Sequence, residues 1–194
     1  MFGIIFCGGQ SVRMGSDKGL MSDGEKSWAQ LAEQKMIALG LTVKISVNQN
    51  QLMDYEKNFA AENLIVDDKE LAVKGPLLGL LSCHLQFPSE DLLILACDMP
   101  LMNTETLTSL YSIYENQPGY DAYIFKNDDE PEPLCGIYTG NGLANILQLL
   151  QQNKLSRFSM KFTLEHLNVH YTSTQEDQKK YFRNFNSHAE LNGL

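Results

Sequence analysis

Ile4-Ile5-Phe6-Cys7-Gly8-Gly9-Gln10-Ser11-Val12-Arg13-Met14-Gly15-Ser16-Asp17-Lys18 is the stretch on which the reading of this chain turns. The apolar run from Phe2 to Cys7 predicts a short buried strand. It stops at Gly8-Gly9, where the backbone is free to take positive φ and no side chain protrudes. A loop follows that carries a guanidinium at Arg13 and an ammonium at Lys18. Bare backbone N–H groups in such a loop form a concave nest for anions, and the two cations add charge that a neutral turn has no use for. A turn with incidental charges would account for Gly8-Gly9 alone. Arg13, Gly15 and Lys18 at these spacings point instead to a phosphate-binding loop at the C-terminal end of the first strand of an α/β sheet, where open sheets place ligands. It is not the Walker loop, since Gly9 and Gly15 are one residue too far apart and Ser16 stands where lysine is needed. No G-x-G-x-x-G occurs either.

The bulk properties bound what such a loop can serve. The chain has 194 residues, 43% of them hydrophobic, enough for one domain with a sizeable core and too apolar for a disordered protein. Its formal charge of −9 argues against nucleic acid or a membrane surface as partner, because both favour a basic face. No apolar run has the length of a membrane helix, and the N-terminal run lacks the basic flank of a signal peptide. Cys7, Cys83, Cys97 and Cys135 form no C-x-x-C pair and read as reduced, mostly buried thiols of a cytoplasmic protein.

Strands and helices then alternate. Ser27-Trp28-Ala29-Gln30 has the form of a capping box, with Trp28, Leu31, Met36 and Leu39 on one face and Gly40 as the stop. Thr42–Val47 and Leu64–Val66 read as strands, Met53–Phe59 as a short helix, and Pro76–Leu85 as a helix opened by Gly75-Pro76. Leu92–Ala96 is an unbroken apolar run, the mark of a strand covered on both faces. The expectation is a three-layer α/β/α sandwich around a mostly parallel, Rossmann-like sheet, with the ends of the strands at Cys7, Val47, Val66 and Cys97 along one edge. A nucleotide-binding half of about residues 1–100 precedes an acceptor-binding half of about 101–194 within one domain. The second half reads as a helix over Thr104–Tyr114 and a strand over Tyr120–Phe125. An acidic turn from Asp128 to Pro133 then leads to a strand at Leu134–Tyr138, the two strands forming an antiparallel edge over the site. Helices over Asn141–Gln152 and Ser159–His166 and a last strand at Val169–Thr172 complete it.

Asp98 is the strongest single candidate for chemistry. It ends the most buried strand, and a carboxylate there suits Mg²⁺, which takes one or two carboxylates and the rest from water and phosphates. The alternative is a cap for the following helix, a place Asp also favours; the nearby phosphate loop tips the balance to metal. His166 and His170 are spaced i, i+4 without a following Glu and read as structural or exposed.

Cys7 to Lys18 resembles the signature of nucleotidyltransferases that act on molybdopterin, and most closely that of the molybdenum cofactor guanylyltransferases, G-G-x-S-x-R-M-G-x-D-K. Related cytidylyltransferases and sugar-nucleotide enzymes usually carry Pro where Asp17 stands, so Asp17 favours the guanylyl branch. Cys97-Asp98-Met99-Pro100 resembles the family's C-D-x-P, whose Asp holds Mg²⁺, and Gly75-Pro76-Leu77-Leu78-Gly79 its G-P-L-x-G. Glu132-Pro133-Leu134 to Tyr138, Leu155-Ser156-Arg157-Phe158 and Phe182 to Leu191 are similar to further segments of it; in the last, Ser187 and His188 replace Thr and Pro. The resemblance implies a sheet of the nucleotide-diphospho-sugar transferase type. It implies nucleotide contacts from Phe6, Cys7, Gly8, Gly9, Lys18, Asn48, Asp67 (or Asp68), Gly75, Pro76, Leu77 and Asp98, with Lys18, Arg13 and Asp98 catalytic. Mg²⁺ would be the cofactor, on Asp98 and Asn186.

The reaction so implied moves GMP from GTP to the phosphate of molybdopterin or molybdenum cofactor, with cofactor-biosynthesis or molybdoenzyme-maturation proteins as partners. The attacking group is already an anion, so no strong base is needed and catalysis is positioning plus charge stabilisation. The rivals are a relative using CTP or a sugar phosphate, and a nucleotide-binding relative without turnover.

Overall fold

Leu92–Ala96, the unbroken apolar run, and Phe2–Phe6 lie side by side at the middle of a seven-stranded sheet. The computed structural model describes residues 1–8, 17–22 and 24–185. The strands are β1 (Phe2–Phe6), β2 (Thr42–Val47), β3 (Leu64–Val66), β4 (Leu92–Ala96), β5 (Ala122–Asn127), β6 (Glu130–Tyr138) and β7 (Val169–Ser173), in the order β3-β2-β1-β4-β6-β5-β7. All run parallel except β6. Phe6 stands opposite both Ser46 and Ala96, and Val47 opposite Val66. The chain therefore leaves β1, β2, β3 and β4 along one edge, as the alternation of elements requires.

Helices cover both faces: α1 (Trp28–Ala38), α2 (Leu52–Tyr55), α3 (Pro76–Gln86), α4 (Thr104–Asn116), α5 (Gly140–Gln151) and α6 (Met160–Leu164). Successive residues of a strand point to opposite faces. Ile5, Cys7, Leu93 and Leu95 accordingly join α1, α2 and α4 in one core, while Ile4, Phe6, Leu92 and Ile94 join α3, α5 and α6 in the other. The layers are α/β/α, of the kind expected. Among the described residues no helix is long and apolar enough to cross a membrane.

α1 opens with the full capping box: Ser27 accepts from the Gln30 N–H, and the Gln30 side chain accepts from the Ser27 N–H. Its buried face differs from the one expected. Ala29 and Ala32 accompany Trp28 and Met36, while Leu31 and Leu39 are partly exposed. Small side chains let the helix sit close on the sheet.

The larger corrections fall after residue 120. The acidic turn is only Asp128-Asp129, both with positive φ (50° and 64°), so β6 starts at Glu130 rather than Leu134. Positive φ at both central residues is the geometry of a two-residue hairpin turn that matches strand twist. Pro131 and Pro133 argued against a strand because they cannot donate to a ladder. They fit because β4 pairs only with Cys135 to Tyr138, leaving the earlier part of β6 with β5 alone. The hairpin is also not an edge of the sheet: β7 lies outside it, and β6 lies between β4 and β5. Its tip, running past the end of β4, stands on the edge where Asp98 emerges. α2 and α6 are shorter than expected, four and five residues.

Candidate active site

The pairing of β1 with β4 brings two distant pieces of chain together. Lys18 comes after β1 in the chain and Asp98 follows β4 by two residues; the Lys18 ammonium lies 3.2 Å from Asp98 Oδ2. About a quarter of each side chain is exposed, so the pair faces solvent. The Asp98 carboxylate does not cap the next helix. Asn103 does, accepting from the Thr106 N–H at 2.9 Å. That removes the structural alternative for Asp98. Its loop is held through the backbone instead: Cys97 N–H donates to Phe6 O (3.0 Å), and Phe185 N–H to Asp98 O (2.8 Å). Gly9, Arg13 and Asn186 lie outside the described residues.

Lys35 on α1 reaches the same loop, donating to Pro100 O at 2.8 Å. Burial pushes its ammonium down to about 8, because a charge removed from water favours its neutral form.

Lys18 sits on a one-turn 3-10 segment, Lys18–Leu20, capped by Asp17, whose Oδ1 accepts from the Gly19 N–H at 2.9 Å. Asp17 is in turn held by residues that follow β2. Tyr55 donates its hydroxyl to Oδ1 at 2.8 Å, and Gln51 Nε2 donates to Oδ2. Gln51 Nε2 also donates to Cys7 O (2.8 Å), while its Oε1 accepts from the Asn48 N–H (2.8 Å). Burial above all, then the nearby Cys7 and Cys97 thiols and the Asp17 carboxylate, holds the Tyr55 hydroxyl protonated far above the usual tyrosine range. It can only donate to Asp17. Gly19 has no room for more: a Cβ there would collide with the Tyr55 oxygen.

Asn48, Asp67 and Gly75, expected on the nucleoside side, lie on the same edge. Asn48 Oδ1 accepts from the N–H of Asn50 (2.9 Å) and Gln51 (3.2 Å), and its Nδ2 makes no hydrogen bond among the described residues. Asp67 and Asp68 differ in what they do. Asp68 closes its own turn, accepting from the Glu70 N–H at 2.9 Å. Asp67 is half-buried where α3 crosses β2, and burial pushes its carboxyl up to about 6. A Cβ at Gly79 would meet Ser46 Oγ at 2.8 Å and Asp67 Oδ1 at 3.5 Å. Gly79 is thus what allows α3 to close on this carboxylate. Gly75 caps α3 with φ 70°, Pro76 takes the first helical position, and the Leu78 N–H turns back to Gly75 O at 3.0 Å.

Three of the expected contacts have no side chain to offer. Phe6, Cys7 and Leu77 are buried in the core, and both backbone polar groups of Cys7 are engaged, with Ser46 O and Gln51. Gly8, just past the end of β1, is exposed. Three residues around Lys18 and Asp98 were not singled out in the sequence, Lys35, Gln51 and Tyr55, and Asp17 was read there only as a family marker. The spacing of Gln51 and Tyr55, one helical turn apart just after Asn48, was the available clue. The four cysteines are free and buried. His166 Nδ1 lies 3.0 Å from Phe162 O and His170 packs edge-on against Tyr120, so both are structural.

Residues 3–168 match the MobA-like NTP transferase domain. A protein of Geobacillus sp. (strain WCH70) named "Probable molybdenum cofactor guanylyltransferase" is 31% identical, over 100% of this chain and 97% of its own length. A protein of Flavobacterium johnsoniae with the same name is 30% identical over 98% and 94%. The crystal structure of molybdopterin-guanine dinucleotide biosynthesis protein A from Archaeoglobus fulgidus superposes with a TM-score of 0.76 at 23% identity, over 100% of this chain and 96% of that one. With residues 3–168 matching the family's model and full-length relatives at 30–31% identity, the chain belongs to the MobA-like NTP transferase family and is a nucleotidyltransferase.

Proposed function

We propose that the enzyme transfers GMP from GTP to the terminal phosphate of molybdopterin or its molybdenum-loaded form. An oxygen of the acceptor phosphate attacks the α-phosphorus, the bond to the bridging α–β oxygen breaks, and pyrophosphate leaves with that oxygen. The observation that carries the reading is the Lys18–Asp98 contact, made across 80 residues of sequence at the mouth of the β1 loop. The names of the full-length relatives supply the guanylyl and molybdopterin identities.

Lys18, with Arg13 in the same loop, would neutralise the triphosphate, and the glycine loop would offer backbone donors to it. Asn48 and Asp67 would orient the nucleoside, Asp67 rather than Asp68 because Asp68 is committed to its own turn. The donor set at Asp98 fits magnesium. Among the described residues no three acidic, histidine or cysteine side chains group to hold a resident ion. One solvent-facing carboxylate suits an ion that arrives with nucleotide phosphates. Asp98, joined by Asn186, would hold Mg²⁺, which when bound supplies positive charge at the phosphates. The hairpin tip at Glu130 to Leu134 would wall the acceptor side.

The test is pyrophosphate release with molybdopterin and each nucleoside triphosphate in turn, alongside the melting temperature with that nucleotide and Mg²⁺. GTP is expected to be preferred in both. Release as fast with CTP would overturn the guanylyl assignment. Release only with a sugar phosphate would overturn the acceptor.

A further inference from the structure

Lys18 has to present its ammonium in a fixed place if it is to act on a triphosphate, yet it sits on a single 3-10 turn. A turn that short has little rigidity of its own. What holds it comes from another part of the chain. Gln51 and Tyr55, at the start and end of the α2 turn, deliver two donors to Asp17, 34 and 38 residues away. The Tyr55 oxygen also presses directly over Gly19, so the residues on both sides of Lys18 are fixed.

Gln51 does more than bond to Asp17. Its amide nitrogen bridges the Asp17 carboxylate and the Cys7 carbonyl at the end of β1, and its amide oxygen receives the Asn48 N–H at the end of β2. One side chain therefore joins the nucleoside-side turn, the strand end before the glycine loop, and the turn that carries Lys18. Every polar atom of that amide is used, and no apolar side chain could replace it.

We infer that Gln51 and Tyr55 are positioning residues for nucleotidyl transfer. They act through Asp17 to aim Lys18, and they tie that aim to the nucleoside-side turn at Asn48. This rests on the reading of Lys18 as a phosphate-binding residue given above. The alternative is that the same bonds merely stabilise the α2 turn.

The two are separated by a cycle of variants. Gln51→Glu keeps the shape but removes the donor and sets a second carboxylate against Asp17. It should lower kcat about 10- to 100-fold, the equivalent of one charge-assisted hydrogen bond. Built on Lys18→Ala, the same change should cost less than about threefold further, because a residue that works through Lys18 has nothing left to aim. Asp17→Asn with Gln51→Glu reverses the polarity of the bond. In that double variant the amide oxygen at position 17 still receives Gly19 and Tyr55, and the amide nitrogen donates to the new carboxylate at position 51; the Cys7 carbonyl loses its donor and faces a carboxylate oxygen instead. The double variant should regain activity to within about fivefold of wild type. Full additivity of Gln51→Glu with Lys18→Ala, or a lower melting temperature with unchanged kcat, would overturn the proposal.

The same cycle is read by titrating Mg·GTP binding. A wild type that binds Mg·GTP but releases no pyrophosphate would sink the transfer reading alone. The positioning role would then stand or fall on whether Gln51→Glu weakens binding in the Lys18 background and not in the Lys18→Ala one.

Discussion

Lys35 is the residue whose titration the structure makes most specific. Its ammonium is taken out of water between α1 and the loop after β4, with Pro100 O as acceptor and burial pushing its ionisation down to about 8 from 10.5. Between those values the unfolded chain holds a proton that the folded protein has released. Stability therefore rises as pH climbs through this window, and the whole cost is in place below it. A lowering of that size corresponds to about 3 kcal/mol at neutral pH. About 2 kcal/mol of it should be recovered between about pH 7.5 and about pH 9.5. Other groups work the opposite way at high pH. Burial pushes the Cys83 thiol up to about 12 and raises Cys135 and Tyr138, so unfolding lets them ionise. The quantity to measure is thus the difference from Lys35→Met, in which those groups are unchanged. Urea midpoints of both proteins at the two pH values give it. Relative to Lys35→Met, the wild type should gain about 2 kcal/mol on going to the higher pH. Equal increments in the two proteins would show that Lys35 titrates as an exposed lysine and that its burial carries no cost.

Asp98→Asn should abolish Mg²⁺-dependent pyrophosphate release while changing stability by less than about 1 kcal/mol, since the Lys18 pair is solvent-facing and the loop is held by its backbone; near-normal turnover would refute the metal-ligand role. Lys18→Ala should lower kcat about 10²–10³-fold with the fold intact; a loss within about threefold would remove Lys18 from the site. Gly19→Ala drives a methyl into the oxygen of a fully buried tyrosine and should cost about 1–3 kcal/mol in chemical denaturation together with most of the turnover. Asp67→Asn should be more stable than wild type at neutral pH and weaker in GTP binding. The stability difference should close as pH falls from about 6 towards the ordinary carboxylate range, where the wild-type carboxyl also becomes neutral; thermal melts across that range check it.

What the sequence disclosed followed from where its signals are local. The parallel half was legible because a strand buried on both faces must be apolar throughout, as Leu92–Ala96 is, and because Gly75-Pro76 marks a helix start by backbone chemistry alone. The β6 strand was not, since Pro131 and Pro133 signal a loop unless one knows that β4 ends before them. Asp98 was legible as a candidate but not as a decision. Its rival role as a helix cap disappears only when Asn103 is seen to hold that place. Gln51, Tyr55 and Lys35 act across 34, 38 and 65 residues, and no window of sequence contains both ends of such a bond.

The strength of the central pair bears on how the site could work. A chain of net charge −9 has few cations to give a triphosphate, and those it commits must not be locked away. Had Lys18 and Asp98 met in the interior, separating them would leave a buried charge at a cost of about 3–5 kcal/mol, and a nucleotide would have to overcome it. They meet instead where both face water, and such a contact is worth about 0–1 kcal/mol. An incoming phosphate can take the ammonium, and a cation the carboxylate, with little lost. The rigidity sits one residue away, in the bonds from Gly19, Gln51 and Tyr55 to Asp17, where no ligand need displace it. Firm backbone under an exchangeable side chain is what the role proposed for Lys18 requires, and here the firmness is supplied by the turn that follows the second strand.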